Sequence, residues 1–150
     1  MTAMLFVLVQ FALFGLFAFG LVFLPTSNTP ASLQIGTAIA LFGVGTAGLA
    51  IIEHLQRNAS PPNIAPVPNQ RAKLITSGLY RFARHPIYTG VLCMAFGAAL
   101  AHGSLIAIAI AVLFIPFFTL KSMYEERLLR AAYPDYDDYA RRTSRFFPGL

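Results

Sequence analysis

A short stretch near the middle of the chain carries residues that are well suited to chemistry. The stretch RFARHPIYTG, at 81–90, places Arg84 and His85 directly before Pro86 and Tyr88. Proline is well tolerated at the first position of a helix, so we predict a helix that starts at Pro86. The first N–H groups of a helix lack intrahelical partners and carry the positive end of its dipole. The stretch therefore predicts an anion-accepting helix start, and its alternative interpretation is simple anchoring of arginines at a membrane surface.

A second stretch, KSMYEERLLR at 121–130, carries the paired carboxylates Glu125 and Glu126. Adjacent helix residues point about 100° apart, so we expect only one of the two to face inward. An inward carboxylate next to an anion-accepting helix start would suit a zwitterionic ligand with a cationic centre. The alternative is a solvated pair that interacts with Arg130. The tyrosines at 133–139, three residues apart, predict one face of a further helix.

The elements that position these residues are predicted to be membrane helices. The chain is 57% hydrophobic and only 11% charged, whereas soluble domains carry about 25% charged residues. Helices of about 20 apolar residues cross a bilayer core of about 30 Å. We expect an all-α integral membrane protein forming one domain over 1–150, with four transmembrane helices, the last two a short helical hairpin. The predicted spans are 4–24, 33–54, 86–101 and 104–120, followed by a cytosolic helical segment at 121–150.

The distribution of charge predicts the topology. All eleven Lys and Arg residues lie in the loop 55–85 or in the tail after residue 120. Basic loops remain cytoplasmic, so both termini and the site are expected on that side. The first span lacks the basic start of a signal peptide and is interpreted as a retained span. Because the charges flank spans, no nucleic-acid partner is predicted, and no two histidines have metal-ligand spacing, so no metal is expected.

Two sequence motifs resemble those of a known protein family. LITSGLYRFARHPIYTG and EERLLRAAYPDYDDYARRTSRFFPGL resemble the isoprenylcysteine carboxyl methyltransferases and their relatives, the membrane phospholipid N-methyltransferases, over about residues 70–150. The resemblance implies S-adenosyl-L-methionine as methyl donor, held between membrane helices and a cytosolic C-terminal segment. It implies a catalytic role for Lys121, which would handle the acceptor, and we add Arg84 beside the helix start. The implied donor site comprises Lys73, Leu74, Ile75, Tyr80, His85, Pro86, Ile87, Tyr88, Glu125 and Glu126.

The chemistry of the donor agrees with this assignment. Its ammonium group needs a carboxylate, for which we favour Glu125 over Glu126, while its own carboxylate suits the Pro86 helix start. Tyr80 with Leu74 and Ile75 would provide apolar walls for adenine. Methyl transfer requires alignment and exclusion of water more than acid–base groups. A carboxylate acceptor needs no general base, which favours carboxyl O-methylation of a lipophilic, isoprenylcysteine-type acceptor among membrane lipids.

Other functions remain open from the sequence. Within the methyltransferases, the alternatives are a phospholipid amine or a small thiol as acceptor. Outside them, sterol reductases have a similar C-terminal region, so an NADPH-dependent membrane reductase is a second hypothesis. A non-catalytic membrane module is the third, because composition and topology alone would suffice for it.

Overall fold

The computed structural model describes residues 2–58, 62 and 73–149. Within these residues the chain forms five α-helices and one 3₁₀ turn, with no strand, which confirms the predicted all-α class. Three helices, α1, α2 and α4, are long and apolar enough to cross a membrane, and α3 is a shorter apolar helix. The count of four spans stays a prediction. The helices are α1 (Thr2–Phe23), α2 (Pro30–Asn58), α3 (Pro86–His102), α4 (Leu105–Ala132) and α5 (Tyr136–Arg142), and the 3₁₀ turn is Gly78–Arg81.

Helix α4 is longer than the span predicted within it. Its 28 residues extend about 42 Å at about 1.5 Å per residue, whereas the hydrocarbon core is about 30 Å thick. The helix therefore continues beyond the predicted span end at residue 120, and the two glutamates lie in this continuation. It ends at Ala132 because Tyr133, the residue before Pro134, has extended backbone, which is the conformation favoured before proline. The predicted single tyrosine face is consequently wrong, because only Tyr136 and Tyr139 share α5.

Helix α2 begins three residues earlier than predicted. Thr29 and Ser32 exchange hydrogen bonds: the Ser32 N–H donates to Thr29 Oγ1 at 3.1 Å, and the Thr29 N–H donates to Ser32 Oγ at 2.8 Å. This reciprocal pair is a capping arrangement that satisfies N–H groups at a helix start. The hydrophobic pattern misses this start because Pro30 and Ser32 belong to the polar stretch PTSNTPAS at 25–32.

The two short turns between helices lie against each other at one end of the protein. Gly103 ends α3 with φ of +79°, a conformation that favours glycine. The Ser27 N–H donates to the His102 carbonyl at 3.2 Å, and Ser27 Oγ donates to the Gly103 carbonyl at 2.7 Å. The predicted hairpin between α3 and α4 is confirmed. The last part of the loop, 73–85, meets the tail at the opposite end, together with the basic residues that the structure describes.

Helices α2 and α3 pack with their backbones almost in contact. A Cβ added to Gly43 would lie 2.5 Å from the Gly90 carbonyl oxygen, and one added to Gly97 would lie 2.6 Å from the Gly36 carbonyl oxygen. Small residues allow such close approach between membrane helices. This contact fixes α3 against α2 and thereby fixes where the α3 start meets α4.

Candidate functional site

The centre of the candidate site is His85, whose ring lies between the two glutamates. Its Nδ1 is 3.5 Å from Glu125 Oε2, and its Nε2 is 3.4 Å from Glu126 Oε1. As predicted, α3 begins at Pro86, with His85 as its N-cap. The expectation that only one glutamate faces inward is wrong. The imidazole ring of His85 has one nitrogen near each carboxylate, so Glu125 and Glu126 can both face it.

Glu126 lies in a cationic cluster that we call the Glu126 clasp, formed by Arg84, Glu126 and Arg145. Arg84 Nε and Arg145 Nε each lie 3.1 Å from Glu126 Oε1, and Arg145 Nη2 lies 3.2 Å from Oε2. The Glu126 side chain is only 1% exposed. Burial alone would raise the pKa of Glu126, but His85, Arg145 and Arg84 together hold that pKa well below its usual range. Glu126 is therefore a compensated, structural carboxylate.

The clasp attaches the C-terminal tail to the start of α3. Arg84 Nη1 donates to the Ala140 carbonyl at 2.9 Å and also to the Thr143 carbonyl. The tail backbone then pairs with the loop: the Arg84 N–H donates to Ser144 O at 2.8 Å, and the His85 N–H donates to Arg145 O at 3.0 Å. The side-chain donors that predicted a catalytic role for Arg84 are thus engaged in tail contacts.

Glu125 lies in different surroundings, which we call the Glu125 cluster: Tyr88, Lys121 and Glu125. The Tyr88 hydroxyl donates to Glu125 Oε1, and the His85 ring stacks parallel to Tyr88 at 5.4 Å between centroids. Lys121 Nζ lies 5.2 Å from the Tyr88 ring centroid. Glu125 keeps 15% side-chain exposure. Burial raises the pKa of Glu125 although His85, Tyr88 and Lys121 oppose the rise, so its charge is less fully compensated than that of Glu126.

The remaining predicted donor residues lie at the junction of the loop with α2. Lys73 is exposed, and its backbone N–H donates to Asn58 Oδ1 at 2.8 Å. Leu74 is half-buried and Ile75 is buried, while the Tyr80 carbonyl accepts a hydrogen bond from Tyr139 Oη at 2.7 Å. The described hydrogen bonds and ion pairs do not join these residues to Glu125.

An apolar cavity lies beside Pro86. It measures about 380 Å³ and is bounded by α2, the α3 start and the tail, with Gly45, Phe82, Thr89 and Phe146 in its wall. Pro86 itself is buried, and Ile87 is half-buried. The first turn of α3 therefore contributes different residues to the two places. Pro86 and Thr89 line the cavity, and Tyr88 belongs to the Glu125 cluster.

Sequence reasoning missed three side chains that position the site. Glu53 of α2 accepts hydrogen bonds from Ser77 Oγ at 2.9 Å and from the Leu79 N–H at 3.1 Å, which holds the 3₁₀ turn before the arginines. Arg145 was considered only as one of the basic residues that predict the membrane topology. Gln10 is the only polar residue between Met4 and Leu24, and that isolation was the available signal for a specific role.

Comparison with known proteins identifies the family. The model of the phospholipid methyltransferase family matches residues 33–136, more than two thirds of the chain. The protein belongs to the phospholipid methyltransferase family. This confirms the resemblance inferred from the two motifs, and the match includes both glutamates, His85 and Lys121 but not α1.

Relatives of this family member align over about half of its chain. It is 36% identical over 78 residues to the cobalt-zinc-cadmium resistance protein CzcN of Cupriavidus metallidurans, covering 51% of this chain and 36% of that protein. It is 36% identical over 78 residues to the probable protein-S-isoprenylcysteine O-methyltransferase of Oryza sativa subsp. indica, covering 51% and 41%. Identity to protein-S-isoprenylcysteine O-methyltransferase B of Arabidopsis thaliana is 36%, covering 51% and 40%. The chain thus spans less than half the length of each.

Proposed function

We propose that the protein is a membrane-embedded methyltransferase that uses S-adenosyl-L-methionine and methylates a lipophilic carboxylate. The donor would bind at the Glu125 cluster, and the acceptor would approach Lys121 from the bilayer. Family membership, the three apolar helices and the names of the plant relatives support this function. The site lies at the end of the protein that carries the basic residues, which the positive-inside rule predicts to be cytoplasmic.

The observation that carries the proposal is the contrast between the two carboxylates. Glu126 already has two arginines at hydrogen-bond distance, whereas Glu125 has the Tyr88 hydroxyl and remains partly exposed. A cationic ligand would compensate the Glu125 charge. The ammonium group of the donor has the required charge, and the Tyr88 ring would lie beside a positively charged centre, as in a cation–π contact. The residues present therefore fit the donor.

Lys121 supports an anionic acceptor. Its side chain is 1% exposed, and it lies one helical turn before Glu125 on the same side of α4. When bound, S-adenosyl-L-methionine would supply an activated methyl group on a sulfonium sulfur. Lys121 would orient the acceptor carboxylate, while Phe118 and Tyr88, 4.7 Å apart between centroids, would exclude water. A carboxylate needs no deprotonation, unlike an amine or a thiol.

The test is binding followed by transfer. Purified protein in nanodiscs should bind S-adenosyl-L-methionine saturably by calorimetry and should not retain NADPH, the ligand expected of a reductase. Labelled methyl should then appear as a base-labile ester in a lipophilic carboxylate such as a synthetic S-prenylcysteine. Folded protein that binds no S-adenosyl-L-methionine would refute the proposed function. Label that appears only in phosphatidylethanolamine would shift the acceptor to an amine.

A further inference from the structure

Helix α1 contacts α4 through a stripe that is apolar except at one position. Phe6 packs on Phe117 with ring centroids 6.2 Å apart, and Phe17 packs on Phe114 at 5.6 Å. Gln10 lies on the same stripe, four residues after Phe6. Since residues at this spacing share a helix face, the amide of Gln10 points toward α4 rather than toward lipid. The only polar side chain between Met4 and Leu24 is thus directed into the protein.

The partner of Gln10 is the residue assigned to the acceptor. Lys121 Nζ donates a hydrogen bond to Gln10 Oε1 at 2.5 Å. The ammonium group is therefore located by α1 through the Gln10 amide and by α3 through the Tyr88 ring, 5.2 Å away. A glutamine can also act simply as a polar link between membrane helices. Here, however, its partner lies within the proposed site, one turn from Glu125.

The charge of the Gln10 side chain also bears on acceptor chemistry. A neutral amide holds the ammonium group of Lys121 without cancelling its charge, and a cation in a low-dielectric site attracts an anionic group strongly. Helix α1 lies outside the region matched by the family, 33–136. The surroundings of Lys121 are therefore set partly by an element that the family match does not include.

We propose that Gln10 is a positioning residue that holds Lys121 toward the acceptor and makes α1 a determinant of acceptor class. This inference rests on the proposed function. According to this inference, Gln10 favours acceptors with a carboxylate over acceptors with an amine. A carboxylate at position 10 would pair with Lys121 and weaken that preference, while an apolar residue would remove the hydrogen bond from Lys121 to position 10 without changing the charge.

The experiment compares Gln10→Glu and Gln10→Leu with Gln34→Glu, a matched control at an exposed position of α2. Methyl transfer to a synthetic S-prenylcysteine and to phosphatidylethanolamine is measured in nanodiscs, with donor affinity by calorimetry. For Gln10→Glu we expect kcat/KM on the carboxylate to fall by at least about 10-fold, mainly through KM, because a charge-assisted contact is lost. The amine should be affected less, donor affinity should be unchanged, and Gln34→Glu should behave as wild type.

A second measurement does not depend on activity. The chain has two lysines, Lys73 and Lys121, so selectively labelled lysine gives two NMR signals that a Lys73→Arg variant assigns. The Lys121 signal should titrate at higher pH in Gln10→Glu than in wild type, and at lower pH in Gln10→Leu. Glu125, the nearest acidic group on α4, is unchanged in all three proteins.

The outcomes separate the inference from the proposed function. Wild-type protein that binds no donor refutes the proposed function. A Lys121 signal that titrates alike in wild type and both Gln10 variants refutes the inference, as does an unchanged acceptor preference in Gln10→Glu. Equal loss on both acceptors in step with a lower melting temperature would mean that Gln10 only links the helices, and would also overturn the inference.

Discussion

The Glu126 clasp and the Glu125 cluster begin from the same residue type, one position apart on α4, and share His85. Around Glu126 the structure brings together Arg84 and Arg145, and the carboxylate is almost fully buried. Around Glu125 it brings a tyrosine hydroxyl and a more distant lysine, and some exposure remains. We infer from this difference that the number of cationic partners, rather than residue type or position, distinguishes the structural carboxylate of Glu126 from Glu125, the carboxylate that we propose binds the donor.

The largest expected effect comes from breaking the clasp. Glu126→Gln leaves Arg84 and Arg145 without their common anion, and removing one partner of a buried ion pair costs about 3–5 kcal/mol. We expect a marked fall in thermal stability, followed by circular dichroism in detergent. The pKa of Glu126 is lowered by folding, so its stabilisation is present above the unfolded value of about 4.3 and is lost as pH falls toward the lower folded value.

The control for this variant is Asp138→Asn. Asp138 pairs with Arg141 on the exposed surface of α5, with both side chains more than half exposed. Such pairs contribute about 0–1 kcal/mol, so the melting temperature should hardly change. If Glu126→Gln were as mild as Asp138→Asn at pH 7, the clasp would not hold the tail.

The next effect concerns donor binding at Glu125. A hydrogen bond to a charged group contributes about 1.5–3 kcal/mol, so Glu125→Gln should weaken binding of S-adenosyl-L-methionine by about 10–150-fold in calorimetry. Glu126→Gln, measured below its unfolding temperature, should retain nearly wild-type affinity. Equal and small losses at both positions would mean that neither carboxylate holds the donor.

A smaller effect is expected from the tyrosine that orients Glu125. Tyr88→Phe keeps the ring but removes the hydroxyl that donates to Glu125. A hydrogen bond contributes about 0.5–1.5 kcal/mol, so donor affinity should fall by about 2–10-fold. Tyr124→Phe is the matched control, because the Tyr124 ring packs on Phe6 with centroids 5.5 Å apart, a contact that the substitution keeps. Similar losses in both variants would argue against an orienting role for Tyr88.

Much of the fold could be predicted from the sequence. Apolar length gave the helices, and Pro86 gave the start of α3, since both depend on local properties of the chain. Helix ends were less accurate: α2 begins at Pro30 because two side chains cap it, and α4 runs to Ala132 because nothing before Pro134 interrupts it. A hydrophobicity pattern shows neither the capping side chains of α2 nor the continuation of α4.

The site was predicted in composition but not in its division of roles. The motifs indicated His85, Tyr88 and the two glutamates. However, the roles depend on long-range contacts, such as Arg145 folding back onto Glu126 and Gln10 reaching Lys121 across more than a hundred residues. A single sequence carries no record of such pairs. The contacts of Arg84 with the tail belong to the same class of long-range pair, and its catalytic role stays a prediction.

The smallest expected effect is the change in stability caused by Glu125→Gln. It distinguishes the two carboxylates most directly, because its sign is opposite to that expected for Glu126→Gln. Folding raises the pKa of Glu125, so the folded state holds that proton more tightly. Stability contributed by Glu125 is therefore present below the unfolded value of about 4.3 and is lost as pH rises through the folded value. At pH 8, Glu125→Gln should leave the protein as stable as wild type or more stable, by on the order of 1 kcal/mol or less. Melting temperatures from pH 3 to pH 9 should thus place Glu125→Gln at or above wild type and Glu126→Gln below it, and the Glu126 difference should begin to shrink only below about pH 4.3. A Glu125→Gln variant as unstable as Glu126→Gln at pH 8 would show that both carboxylates serve the clasp.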